Sequence, residues 1–170
     1  MDEYRDGAQE NGQQGGAVRL LVRTAVDRMQ AADPDGALDA LTALYRGEDH
    51  SPREAADVLA DASADMLKSL CVQVGDGAPI KMQLGDTEGN EIPIDDIDPP
   101  LRASFRAVMA LVNADEQAAD IQLDLVFDRH DPEEDTVALM HLLLWTTDLL
   151  TACREGGAPA PGWLVDSSAG

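Results

Sequence analysis

Residues 132–153, PEEDTVALMHLLLWTTDLLTAC, constrain the fold more than any other stretch of the chain. From Val137 to Leu150 apolar groups fall on nearly every side of a helix, not along one stripe. A surface helix keeps an apolar face roughly 100° wide and a polar remainder, so a helix that is apolar all round has to be enclosed. The enclosure is either the centre of one chain or an interface between copies, which makes a homo-oligomer through 132–153 an expectation. The most apolar window, Val137 to Trp145, is far shorter than the roughly 20 residues that span a bilayer. With no charged-then-apolar leader at the N-terminus, the reading is a cytoplasmic protein without a membrane segment.

The rest of the sequence has to supply the enclosing elements. Residues 1–16, MDEYRDGAQENGQQGG, hold almost no large apolar groups and predict a disordered arm. In 17–33, Val18, Leu21, Val22, Ala25, Met29 and Ala32 recur at helical spacing. Asp33-Pro34 opens a short helix facing inward through Leu38, Leu41 and Leu44 or Tyr45, so the two form a helical hairpin. Ser51, Pro52 and Glu54 spell a helix start before the stripe Ala55, Val58, Leu59, Ala62, Met66, Leu70. The period then changes to two. Val72 and Val74, then Ile80, Met82 and Leu84, then Ile92 and Ile94 alternate between glycine-rich breaks and predict a small β-meander. A helix follows Asp98-Pro99-Pro100, and DIQLDLVFD, with Ile121, Leu123, Leu125 and Phe127 alternating, predicts a further strand. The expected fold is therefore α+β: about five helices packed with a small antiparallel sheet or β-hairpin. Its alternative is an all-α bundle with a projecting hairpin. One globular domain, 17–155, is followed by a flexible Pro/Gly-rich tail, 156–170, whose sticky island is Trp163-Leu164-Val165.

Net charge is −21, from 33 acids against 12 bases, with only Lys68 and Lys81 beside the arginines. A field of that sign repels phosphate backbones and anionic membrane surfaces and attracts basic partners. The Ala/Asp/Arg bias also fits a GC-rich bacterial genome or adaptation to high salt, either of which makes part of the acidity background. Cys71 and Cys153 lie far apart in apolar surroundings, too few for a disulfide framework, and read as buried thiols.

The segment that looks most like chemistry is DRHDPEEDTVALMH, 128–141, with two of the three histidines and five carboxylates. Two ligands on one helix face need a spacing of three or four residues. His141 has only Val137, Ala138, Leu144 and Trp145 at those positions, and His130 precedes the helix. The glycine and terminal glutamate of an EF-hand loop are missing. A helix start fits better: Asp131 as N-cap, Pro132 first, Glu134 as reciprocal acid, with further acids where the helix dipole favours them. HSPRE at 50–54 repeats the grammar of HDPEE at 130–134. No G-x-S-x-G elbow or phosphate-loop lysine is present. The sequence thus designates no catalytic, cofactor or metal residue.

SPREAADVLADASADMLKSL, with the alternating segments after it, resembles the short helix–turn–helix of excisionase-like and antitoxin-like winged-helix DNA-binding proteins. The resemblance implies EAADVL as a first helix and ADMLKSL in the recognition position. That position carries Lys68 beside Asp65, whereas DNA affinity rests on neutralising phosphates, which argues against direct nucleic-acid binding. The leading expectation is a small acidic interaction or regulatory protein without catalytic activity, binding another, basic protein. Its candidate partner-binding residues are Trp163, Leu164, Val165, Arg19 and Arg23. The alternative is a DNA-related acidic regulator, either a DNA mimic or a degenerate helix–turn–helix. Third comes an enzyme or metal protein using His130, His141 and nearby carboxylates.

Overall fold

The computed structural model describes residues 7–46, 51–71, 84–85 and 88–165, with backbone alone for 7–15 and 84–85. The described residues fold as helices: α1 (Gly7–Gln30), α2 (Pro34–Thr42), α3 (Pro52–Cys71), α4 (Pro99–Val112), α5 (Glu116–Phe127), α6 (Pro132–Gly156) and the single turn α7 (Gly162–Val165). Two 3₁₀ turns, Ala43–Tyr45 and Ile94–Asp96, extend α2 and lead toward α4. Extended pairing is confined to Leu84–Gly85 (β1) against Glu91–Ile92 (β2), antiparallel, with Leu84 opposite Ile92. The α+β expectation is therefore corrected to all-α, in the direction of its helical alternative. Residues 72–83, which carry most of the expected meander, lie outside the described residues. Ile94 opens a 3₁₀ turn where a strand was expected.

The expected strand DIQLDLVFD is part of α5. Its alternation arises because two opposite helix faces are both apolar. Leu123 and Phe127, four apart, face inward with Ala119 and Val126, whereas Ile121 and Leu125, also four apart, face out. Asp115 caps the helix by accepting a hydrogen bond from the Ala118 amide at 3.0 Å, a start signal just before the segment read as extended.

Helix α6 lies at the centre, packed against α3 above all, then α4, α1 and α5. Leu139, Leu142, Leu143 and Leu150 are fully buried, while Leu144 is the exposed exception among its leucines. Each such leucine contributes about 1.5–3 kcal/mol through burial. The buried positions of α3 are mostly small residues, among them Ala55, Ala56, Ala60, Ala62 and Ala64. Across the α3–α6 seam the buried Ser63 hydroxyl meets Thr146 Oγ1 at 2.9 Å. Thr146 in turn donates to the Leu142 carbonyl at 2.8 Å, so both hydroxyls are satisfied. By length and composition Pro132–Gly156 would also pass as a membrane-crossing helix, a property that the core helix of a compact fold shares.

The segment expected to be a disordered arm is already helical from Gly7. In the tail, Gly157 ends α6 in the left-handed region, φ 65°. Beyond it Leu164, 2% exposed, re-enters the core. Leu38, expected inside, is exposed, and Ala32 lies beyond the end of α1 at φ 57°.

Candidate functional site

The segment 128–141 starts α6 as its grammar requires. Asp131 accepts hydrogen bonds from the amides of Glu133, at 3.0 Å, and Glu134, at 3.5 Å. The Glu134 carboxylate, expected to reach back to the cap, meets Arg129 at 3.3 Å. His130 holds φ 52° at the turn between α5 and α6. His141 sits well inside α6, its Nδ1 2.8 Å from the Val137 carbonyl; a carbonyl only accepts, so Nδ1 carries the proton. The two histidines therefore belong to different ends of this segment. Among the described residues no group of three or more His, Cys, Asp or Glu is placed to hold a metal ion.

What sequence reasoning passed over here is Asp135. It is 5% exposed, and its Oδ1 is buried without a hydrogen-bond partner. Burial pushes its pKa up to about 6; the neighbouring carboxylates of Asp131 and Glu134 add to the rise, and His130 opposes it. It lines a concave space of about 480 Å³ where the starts of α3 and α6 meet the end of α5, with Tyr45, Arg53, Phe127, Asp128 and His130 around it. A carboxyl titrating near 6 is suited to proton transfer, but the unpartnered oxygen is sealed from the space. The group is poised to couple protonation to folding, not to reach a substrate.

Arg53 links this space to the outer face of α5. Arg53, on the first turn of α3, forms ion pairs with Asp57, Asp120 and Asp124. One guanidinium against three carboxylates leaves local negative charge uncompensated. Burial raises the Asp57 pKa by more than Arg53 lowers it, and the nearby acids Asp120 and Asp61 add to the rise. Alongside Asp120 and Asp124 run Ile121 and Leu125, each 53% exposed and adjacent at i and i+4. Nothing in a strand reading exposes this ridge, because alternation places Ile121, Leu123, Leu125 and Phe127 on one face.

The sequence-designated partner residues separate. Leu164 is part of the core, Trp163 is half-buried against it and Val165 is exposed. Arg19 shares a groove with Trp163, Asp61, Asp65, Lys68 and Glu116. Arg23 approaches Asp27 at 3.9 Å, while its Nη2 is buried without a partner. Arg19 and Trp163 thus come together; Leu164 is committed to the chain's own packing. The helix–turn–helix resemblance also meets a correction, since EAADVL and ADMLKSL belong to one uninterrupted helix, α3.

No protein-family model, curated protein or solved structure matches this chain.

Proposed function

We propose that this chain is a non-catalytic interaction protein whose α5 face docks a basic, amphipathic segment of another protein. The observation that carries the reading is the exposed Ile121–Leu125 ridge beside the acid-rich Arg53 cluster. Two large apolar groups on one helix face offer a place for an apolar anchor, in the manner of helix-in-groove recognition. The flanking Asp120 and Asp124 share their single arginine with Asp57, so an incoming lysine or arginine meets unneutralised charge. The net charge of −21 attracts such a partner at a distance and sets the rate of encounter more than the affinity. Just past the end of the same helix, exposed Asp128 adds a further carboxylate beside the space lined by Tyr45 and Asp135.

The test uses a synthetic amphipathic helix of lysine and leucine, fluorescently labelled, and the same peptide with glutamate in place of lysine. The wild-type chain binds the basic peptide and not the acidic one. The exposed double substitution Ile121→Ser/Leu125→Ser changes no charge and lowers that affinity at least tenfold. Equal affinity in wild type and double variant would sink the proposal, because the acidic surface alone would then account for binding. Added salt weakens the basic peptide only in part, the apolar contribution surviving screening.

A further inference from the structure

Between α3, α4 and α6 the packing leaves a second, separate cleft of about 160 Å³. Ser63 and Val108 are its most buried residues; Phe105, Met109 and Trp145 form its sides. The Phe105 and Trp145 rings meet edge to face, centroids 5.9 Å apart and planes at 72°. The Ser63 hydroxyl is already engaged by Thr146, so the interior offers a ligand apolar and aromatic contact. The lining surface is almost wholly apolar; the one charged residue beside it, Asp148, is exposed at the rim and has no ion-pair partner among the described residues.

Protein interiors leave few voids larger than a water molecule. An enclosed apolar cavity of about 150 Å³ takes up a molecule of benzene's size, and this cleft, although open to solvent on one side, has a similar volume. The volume here therefore suits one six-membered ring. Aromatic edges and the polarisable Met109 thioether are favourable neighbours for such a ring. The lone carboxylate at the rim sets the solvent-side end of the ligand. A ring bearing an ammonium gains from Asp148 and from the negative field of the whole chain, whereas a ring bearing a carboxylate is repelled by both. We infer that this cleft is a binding site for a small arylalkylamine, its ring among Phe105, Met109 and Trp145 and its ammonium at Asp148.

The experiment follows the two tryptophan indole N–H signals of the full chain by NMR during titration with phenethylamine. Phenylacetate and benzyl alcohol are run in parallel. The Trp145 signal moves saturably with phenethylamine while the Trp163 signal stays in place. Phenylacetate binds at least tenfold more weakly. Asp148→Asn, an exposed substitution that leaves the core intact, lowers the phenethylamine affinity about tenfold and leaves benzyl alcohol unchanged. The inference is overturned if the Trp145 signal does not saturate, if phenylacetate binds as well, or if Asp148→Asn binds the amine as wild type does. None of these outcomes touches the α5 surface, so this site and the proposed docking face stand or fall separately.

Discussion

At the scale of single residues, Asp135 is the group with the clearest thermodynamic consequence. Its carboxyl titrates near 6 in the fold against an ordinary value of 3.8, so the folded chain holds the proton more tightly than the unfolded one. Its contribution to stability is then present below pH 4 and lost as pH rises from about 4 to 6. With each pKa unit equal to about 1.4 kcal/mol, the loss is on the order of 1–3 kcal/mol. Asp135→Asn should therefore stabilise the protein at pH 8 by ~1–2 kcal/mol, after about 0.5 kcal/mol is returned through the weaker helix-dipole interaction. The gain should vanish by pH 4 in urea denaturation followed by circular dichroism. A gain that is the same at both pH values would rule out the protonation account. The neighbouring Asp131 behaves oppositely: it satisfies two amides, and Asp131→Ala should cost about 1 kcal/mol in the same assay. The cap is legible in sequence because it depends on residues a few positions apart. The buried Asp135 is not, because its burial is set by Tyr45 and α3, which no local pattern brings to it.

Among the elements, helix ends and helix faces divide what a sequence reveals from what it hides. The starts at Asp33, Asp115 and Asp131 are written in side chains that accept amide hydrogen bonds, and two of the three are read directly. Asp115 is overlooked because the alternation of Ile121, Leu123, Leu125 and Phe127 fits a strand as well as a helix with two apolar faces. Only tertiary packing, which buries Leu123 and Phe127 and leaves the other two out, separates the readings. The helix ends carry a further device. After α1, α4 and α6 a left-handed residue is followed by an amide bonded five positions back: Asp33 to the Arg28 carbonyl, Asp115 to Ala110, Ala158 to Cys153. This is the hydrogen-bond pattern of a Schellman end. Gly157 occupies that position in α6, but Ala32 and Ala114 occupy it in α1 and α4 with φ 57° and 59°. A β-carbon in the left-handed region costs roughly 1–2 kcal/mol, which glycine avoids at some entropic expense. Ala114→Gly should accordingly raise stability by ~0.5–1 kcal/mol without altering the pH dependence. Thermal melts checking this should show a rise in midpoint, and a fall would mean that the backbone there carries no strain.

For the whole molecule the decisive quantity is the imbalance of 33 acids to 12 bases. The clearly shifted carboxylates among the described residues, Asp57, Asp61 and Asp135, all move upward. Burial is the first cause in each, and nearby acids add to it. Asp61 shows the pattern plainly: Asp65 and Glu116 raise it, and Lys68 with Arg19 only partly offset them. A protein held together by ion-paired carboxylates loses stability as they are protonated. Here the shifted groups bind protons more tightly in the folded state, so each contributes stability that is lost as pH rises through its folded pKa. Self-repulsion of the remaining charge acts in the same direction. Stability should therefore increase as pH falls from 8 toward about 5, reversing only when ordinary paired carboxylates begin to protonate. Raising sodium chloride at pH 7.5 should stabilise the fold by screening the same repulsion, and the effect should shrink at pH 5. Thermal melts over pH 4–8 at low and high salt test both statements together. A midpoint that falls steadily from pH 7 downward, with no gain from salt, would mean that apolar packing around α6 sets the stability and the surface charge is neutral to it.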